Sequence, residues 1–272
     1  MKRGRLGQVA GWSGYALVTA FLLLPVLIMI PASFGSSESL EFPPHQLSLR
    51  WYREVLGDRN WLGSAGVSAR LALLAGVVAT LIGVLLGLAH MRMGQVRASL
   101  RAYLMLPMVA PHIVLATGMF SLLLHAHLLG NQWVLGMIHA CLAVPLTMIV
   151  ILNAADTVDP LLWTAASTLG ARWWLILKAV VLPSMALSIV IAFVLAFVVS
   201  WDEVTFAVFV GPTATPTLPS RMFSYLKELI NPSLTAIATL LLAVTFVAGA
   251  LVWLLKRLAP VRRGLQPDGV RE

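Results

Sequence analysis

The sequence predicts an all-α integral membrane protein with six transmembrane helices, and three observations carry that expectation. Apolar residues make up 59% of the 272 and charged residues 11%, against roughly 45–50% and about 25% in a soluble domain. Charges are absent between Arg5 and Glu38, Arg70 and Arg92, Arg101 and Asp156, Lys178 and Asp202, and Glu228 and Lys256. Each gap reaches or exceeds the roughly 20 residues that a helix needs to cross about 30 Å of hydrocarbon. Finally, the basic residues fall mostly on one side of the spans so defined. With the N-terminus inside, that side holds Lys2, Arg3, Arg5, Arg92, Arg97, Arg101, Arg172, Lys178, Lys256, Arg257, Arg262, Arg263 and Arg271. The other holds Arg50, Arg53, Arg59, Arg70, Arg221 and Lys227, together with most of the acids. This is the bias that orients helices during insertion. The net charge of +8 therefore reports topology rather than a nucleic-acid partner, and both termini are expected inside.

The whole chain, 1–272, reads as one membrane domain with spans at about 13–34, 68–90, 103–124, 133–153, 181–200 and 233–255. The first follows Lys2, Arg3 and Arg5. Its apolar run is too long for a cleaved signal, and Pro31-Ala-Ser-Phe-Gly35 is a poor cleavage site, so an uncleaved helix is expected. The outer loop 35–67 carries an amphipathic patch at 49–56, and Trp51, Tyr52 and Trp61 suit the headgroup layer. In the second span Arg70 is placed to snorkel. Gly76, Ala79, Gly83 and Gly87 share one helical face, which permits close packing within this subunit or against another. The gap from 102 to 155 is too long for one crossing, and the polar stretch from His125 to Gln132 divides it. Pro107 and Pro111 predict a kink in 103–124. Cys141, the single cysteine, rules out an intrachain disulfide and reads as a packing residue. A long outer segment, 201–232, precedes the last span.

The inner loop 156–183 is the most informative stretch. Asp159 can cap a helix start and Pro160 suits its first position. Leu161, Leu162, Ala165, Ala166 and Leu169 recur on one face, and Gly170 can take the left-handed conformation that ends the helix. A second helical stretch, 172–181, is expected to stop before Pro183. A short helix lying across the membrane face, apolar on one side, has a shape suited to a groove on a partner.

Thr164-Ala165-Ala166, three residues, Gly170, nine residues, then Val180-x-Leu182-Pro183 resembles the EAA-x3-G-x9-I-x-L-P loop of binding-protein-dependent ABC importer permeases. Residues 47–52, 106–111, 200–203 and 217–219 resemble the spermidine/putrescine branch, so the likeness runs over about residues 40–250. The resemblance implies a type I ABC importer permease fold in a bacterial inner membrane. It implies that the loop docks as a coupling helix in a cleft of a cytoplasmic ABC ATPase, through Thr164, Ala165, Ala166, Gly170, Leu182 and Pro183. It further implies a second permease subunit, in a heterodimer, and an extracytoplasmic solute-binding protein. ATP and Mg would be bound by the ATPase, with no cofactor in this chain. A polyamine or related amine is the expected solute; opines, amino-acid derivatives, phosphonates and ferric iron are carried by similar permeases. Thr164 stands where the family has Glu, which alters one charged contact.

The motif G-x-x-x-x-G-K-[ST] is absent, so ATP hydrolysis by this chain alone is not expected. H-E-x-x-H and C-x-x-C are also absent, and His125 and His127 sit in an outer turn, so no metal site is expected. Trp201, Asp202 and Glu203 close the fifth span. They read either as a solvated helix end or as a cation-attracting mouth of the pathway, with Trp201 contacting an ammonium group. A gradient-driven secondary transporter is the alternative class, but it would place ionisable residues midway through the spans. A membrane enzyme would need a cluster of nucleophile, base or metal ligands.

Overall fold

Small residues decide how closely the central helices approach. In the computed structural model, which describes residues 2–39, 41–94, 96–228 and 232–258, the long helix α3 packs along one face with Gly76, Ala79, Gly83 and Gly87 buried or nearly so. The elements, in chain order, are α1 (Lys2–Ala32), α2 (Arg50–Gly57), α3 (Arg59–Met93), α4 (Ala98–Val109), α5 (His112–His125), α6 (Gln132–Asp156) and α7 (Pro160–Thr168). They continue as α8 (Trp173–Ile176), a π turn (Leu177–Val181), α9 (Leu182–Trp201), α10 (Thr205–Val210), α11 (Leu218–Glu228) and α12 (Ser233–Leu258).

The centre is α3 against α6 and α9. A β-carbon at Gly83 would stand 3.2 Å from the Thr147 backbone on α6, and one at Gly87 would stand 2.7 Å from Ile151 Cγ2. At Gly76 it would meet the Phe193 ring of α9 at 2.8 Å. The small-residue stripe therefore serves packing within this subunit. Close approach also allows a polar tie: the Thr147 hydroxyl donates to the Ala79 carbonyl at 2.8 Å, a bond favoured where hydrocarbon offers no other partner. Ala72, Ala75, Ala79, Ala143 and Ala196 are wholly buried along this seam.

Five stretches are long and apolar enough to cross a membrane, and a bent pair brings the number to as many as six. That pair, α4 and α5, corrects the expected kink: the two helices meet at 96°. Ala110 is extended (ψ 140°) because the Pro111 ring disfavours helical geometry in the residue before it, and Pro111 has no N–H to continue the ladder. The expected stop before Pro183 is also corrected. The chain passes from α8 to α9 through the π turn, where the Leu182 N–H bonds to the Leu177 carbonyl. Widening the turn accommodates a proline that would otherwise meet the carbonyl four residues back.

At the end of the bundle that carries α2 and α11, the aromatic residues expected at the headgroups instead turn inward. Trp51 and Trp61 are buried; Trp61 lies 4.9 Å from the Tyr225 ring, and the Tyr52 hydroxyl pairs with Ser33 at 2.6 Å. The segment after α9 is tied to α3, with Leu218 N–H donating to Ser68 and Arg221 donating to Ser64. Helix α1 lies largely apart, meeting α12, with none of its apolar window buried. Arg262, Arg263 and Arg271, expected inside, lie outside the described residues.

The packing predicts a contrast between two glycines. Gly83→Leu should lower stability by about 1–3 kcal/mol through overpacking, read as a fall in the melting midpoint of the detergent-solubilised chain. Gly249→Leu, which meets nothing within 4 Å, should melt close to the parent.

Candidate functional site

Helix α7 is built by local chemistry. The Asp159 carboxylate accepts the Leu161 N–H at 2.8 Å, satisfying one of the orphan donors of the first turn, and Pro160 occupies the first helical position. The Ser167 and Thr168 hydroxyls donate back to the Thr164 and Ala165 carbonyls, both at 2.8 Å. Gly170 ends the helix at φ +79°, with the Ala171 N–H reaching back to the Ala166 carbonyl. Only glycine adopts that conformation without steric cost.

The two sides of α7 differ. Trp163 and Ala166 rest on a buried cluster made of Ile151, Ala154 and Ala155 from α6, Ile176 from α8, and Met185 and Ala192 from α9; Val84, Leu88 and Met91 of α3 complete it. The opposite side is open: Leu161 is 71% exposed and Leu169 88% exposed, and Thr164, Ala165 and Gly170 are exposed beside them. The structure thus brings Thr164, Ala165 and Ala166 together on one short helix, with Gly170 in the turn that ends it. Leu182 and Pro183 lie apart from that helix, at the start of α9 after the π turn, with Pro183 exposed.

Two residues 66 positions apart brace the root of this loop. His90, at the end of α3, lies 2.7 Å from the Asp156 carboxylate at the end of α6. The Val96 N–H donates to His90 Nδ1 at 3.3 Å, so Nε2 carries the proton given to Asp156. A single sequence offers no signal for this pair beyond each residue lying near the C-terminal end of its helix.

At the far end of the bundle the candidate pathway residues part company. Trp201 is buried among Val55, Trp61, Ala72, Leu218 and Ile237, with the Phe197 ring stacked at 6.0 Å and 12°; this corrects the picture of an indole open to an ammonium group. Glu203, 8% exposed, is no solvated helix end. Its carboxylate accepts the Phe206 N–H at 3.0 Å and so caps α10. Burial pushes its pKa up, against the opposing pull of the Phe206 N–H and of nearby His112. Only Asp202 faces outward. Deeper in, His139 of α6 meets the Ser200 hydroxyl of α9 at 2.8 Å in a fully buried contact, which the sequence did not announce.

Comparison with known proteins bears on the family and the fold. A profile of the family described as "Binding-protein-dependent transport system inner membrane component" matches residues 79–260. The chain is 32% identical over 254 residues to the putrescine transport system permease protein PotI of Escherichia coli (strain K12), covering 89% of each. It is 26% identical over 242 residues to the spermidine/putrescine transport system permease protein PotC of Haemophilus influenzae, covering 89% of this chain and 94% of that one. Its fold is similar to a chain in the crystal structure of a bacterial ABC transporter involved in the import of alginate, with TM-score 0.64, 15% identity, and 94% and 97% coverage.

The Glu203 geometry makes two outcomes measurable. Glu203→Ala leaves the Phe206 N–H without its partner and should cost about 1–3 kcal/mol, whereas Glu203→Gln keeps an acceptor. A carboxyl whose pKa is raised by folding adds stability at low pH and loses it as pH rises through the raised value. The melting midpoint of Glu203→Gln should therefore gain on the parent between about pH 5 and about pH 8. A constant difference across that range would contradict the burial assigned to Glu203.

Proposed function

The chain belongs to the binding-protein-dependent transport system inner membrane component family, and from that premise we propose that it takes a polyamine or a related small cationic amine across the inner membrane. The reading of the solute rests on similarity to permeases whose names specify putrescine and spermidine. Asp202, the outward-facing carboxylate beyond α9, supplies attraction for such a cation at the outer mouth.

Energy enters at the other end. We assign α7 as the coupling helix, docked through the face that carries Thr164, Ala165, Leu169 and Gly170 in a cleft of a cytoplasmic ABC ATPase, which binds ATP and Mg. The observation that carries this assignment is the two-sidedness of α7. Its open side exposes Leu161 and Leu169, while its closed side sits on a cluster joining the inner ends of α3, α6 and α9. Force applied to α7 therefore reaches all three central helices at once. Close packing makes such a cluster shift as a unit rather than deform continuously. The complete importer has a second permease subunit, paired as a heterodimer, and a solute-binding protein that delivers the amine. Both termini of this chain are assigned to the cytoplasm by the distribution of basic residues. A gradient-driven carrier would instead set carboxylates or lysines midway through its spans. The described spans are free of them there.

Gly170→Val forces a β-branched residue to φ +79°, a cost of about 1–2 kcal/mol. It should reduce ATPase co-purification about tenfold while membrane insertion is unchanged; retention at the parental level would count against docking through α7. For the outer mouth, Asp202→Asn should slow uptake of radiolabelled putrescine without altering the amount of assembled complex. Equal uptake rates would remove Asp202 from the pathway.

A further inference from the structure

A cleft of about 370 Å³ opens beside α7, lined by His90, Met91, Gly94, Asp156, Trp163 and Thr164. Its chemistry is unusual for this end of the bundle. Among the described residues here the charged side chains are otherwise basic, Arg92, Arg97, Arg101, Arg172 and Lys178 among them. The two acids are Asp156 and Asp159. Asp159 turns its carboxylate to the N-terminus of α7. Asp156 has a side chain 61% exposed, and His90 Nε2 holds it in place at 2.7 Å. The cleft is thus a fixed negative point in positive surroundings, and its wall includes Trp163 and the exposed Thr164 of α7.

We propose that this cleft receives a basic side chain of the partner ATPase, a guanidinium or an ammonium group, with Asp156 as its acceptor and His90 as the residue that positions Asp156. Thr164 is exposed on α7 and also lines the cleft, so a partner seated against Thr164 meets the rim of the cleft in the same contact. Water is displaced when the partner seats, which strengthens the charge pair relative to one left at an open surface. Specificity for the cognate ATPase follows, because a partner without a cation at that point leaves the Asp156 carboxylate desolvated and unpaired. The inference rests on the assignment of α7 as the docking helix.

The test uses the assembled complex, purified from membranes through a tag on this chain, with retained ATPase measured across a sodium chloride series. Asp156→Asn should lose ATPase at lower salt than the parent, retaining about tenfold less at intermediate salt. His90→Gln, which breaks the brace and leaves the carboxylate, should retain far more ATPase than Asp156→Asn. Thr164→Glu added to Asp156→Asn returns a carboxylate to the same cleft and should recover most of the lost retention. Leu169→Asp reports on the docking reading itself and should abolish retention. Asp156→Asn behaving as the parent while Leu169→Asp abolishes retention overturns the cleft proposal alone. Loss in His90→Gln equal to that in Asp156→Asn also overturns it, by making the pair a structural strut. Full retention in Leu169→Asp overturns the docking reading, and the cleft with it.

Discussion

Between helices dissolved in hydrocarbon there is no hydrophobic force to draw them together, so contact distance and polar ties must hold the bundle. The stripe of Gly76, Ala79, Gly83 and Gly87 meets that constraint. It lets α6 and α9 approach α3 until the Thr147 hydroxyl reaches the Ala79 carbonyl and the Phe193 ring lies over bare backbone at Gly76. The cluster that supports α7 also depends on this approach, since Gly87 faces Ile151 and Ile151 belongs to that cluster.

The route from the inner face to the outer one follows from that packing. A displacement of α7 presses on Ile151, Met185 and Ile176, side chains of helices locked together over most of their length. At the outer end α9 is joined to α6 by the buried His139–Ser200 contact, and its continuation is capped by Glu203. Exposed Leu161 and Leu169 at α7 and the buried Glu203 carboxylate beyond α9 therefore mark the two ends of one packed path. The π turn at Leu177–Val181 is the one irregular step on the path, and it lies where Pro183 requires it.

Much of this was legible in the residues. Charge-free runs located the spans, and Asp159, Pro160 and Gly170 bounded α7 because capping, proline placement and left-handed glycine are local chemistry. What escaped was long-range. Pro107 and Pro111 announced a disturbance, but a right-angle break and a gentle kink share one signature until neighbouring helices choose. Glu203 reads as a solvated end because nothing nearby in sequence shows that α10 folds back over it. His90 and Asp156 are separated by a whole pair of helices, and no periodicity links them. Trp51 and Trp61 had the composition of membrane-surface residues and found protein partners instead.

The central claim is that movement of this bundle is driven by nucleotide hydrolysis in a docked partner rather than by an ion gradient. It is tested most directly by following putrescine uptake in cells expressing the full importer while cytoplasmic ATP is depleted and the proton gradient is held. Uptake that falls with ATP and ignores the gradient is the predicted result. Uptake that persists without ATP and collapses when the gradient is discharged would contradict the account.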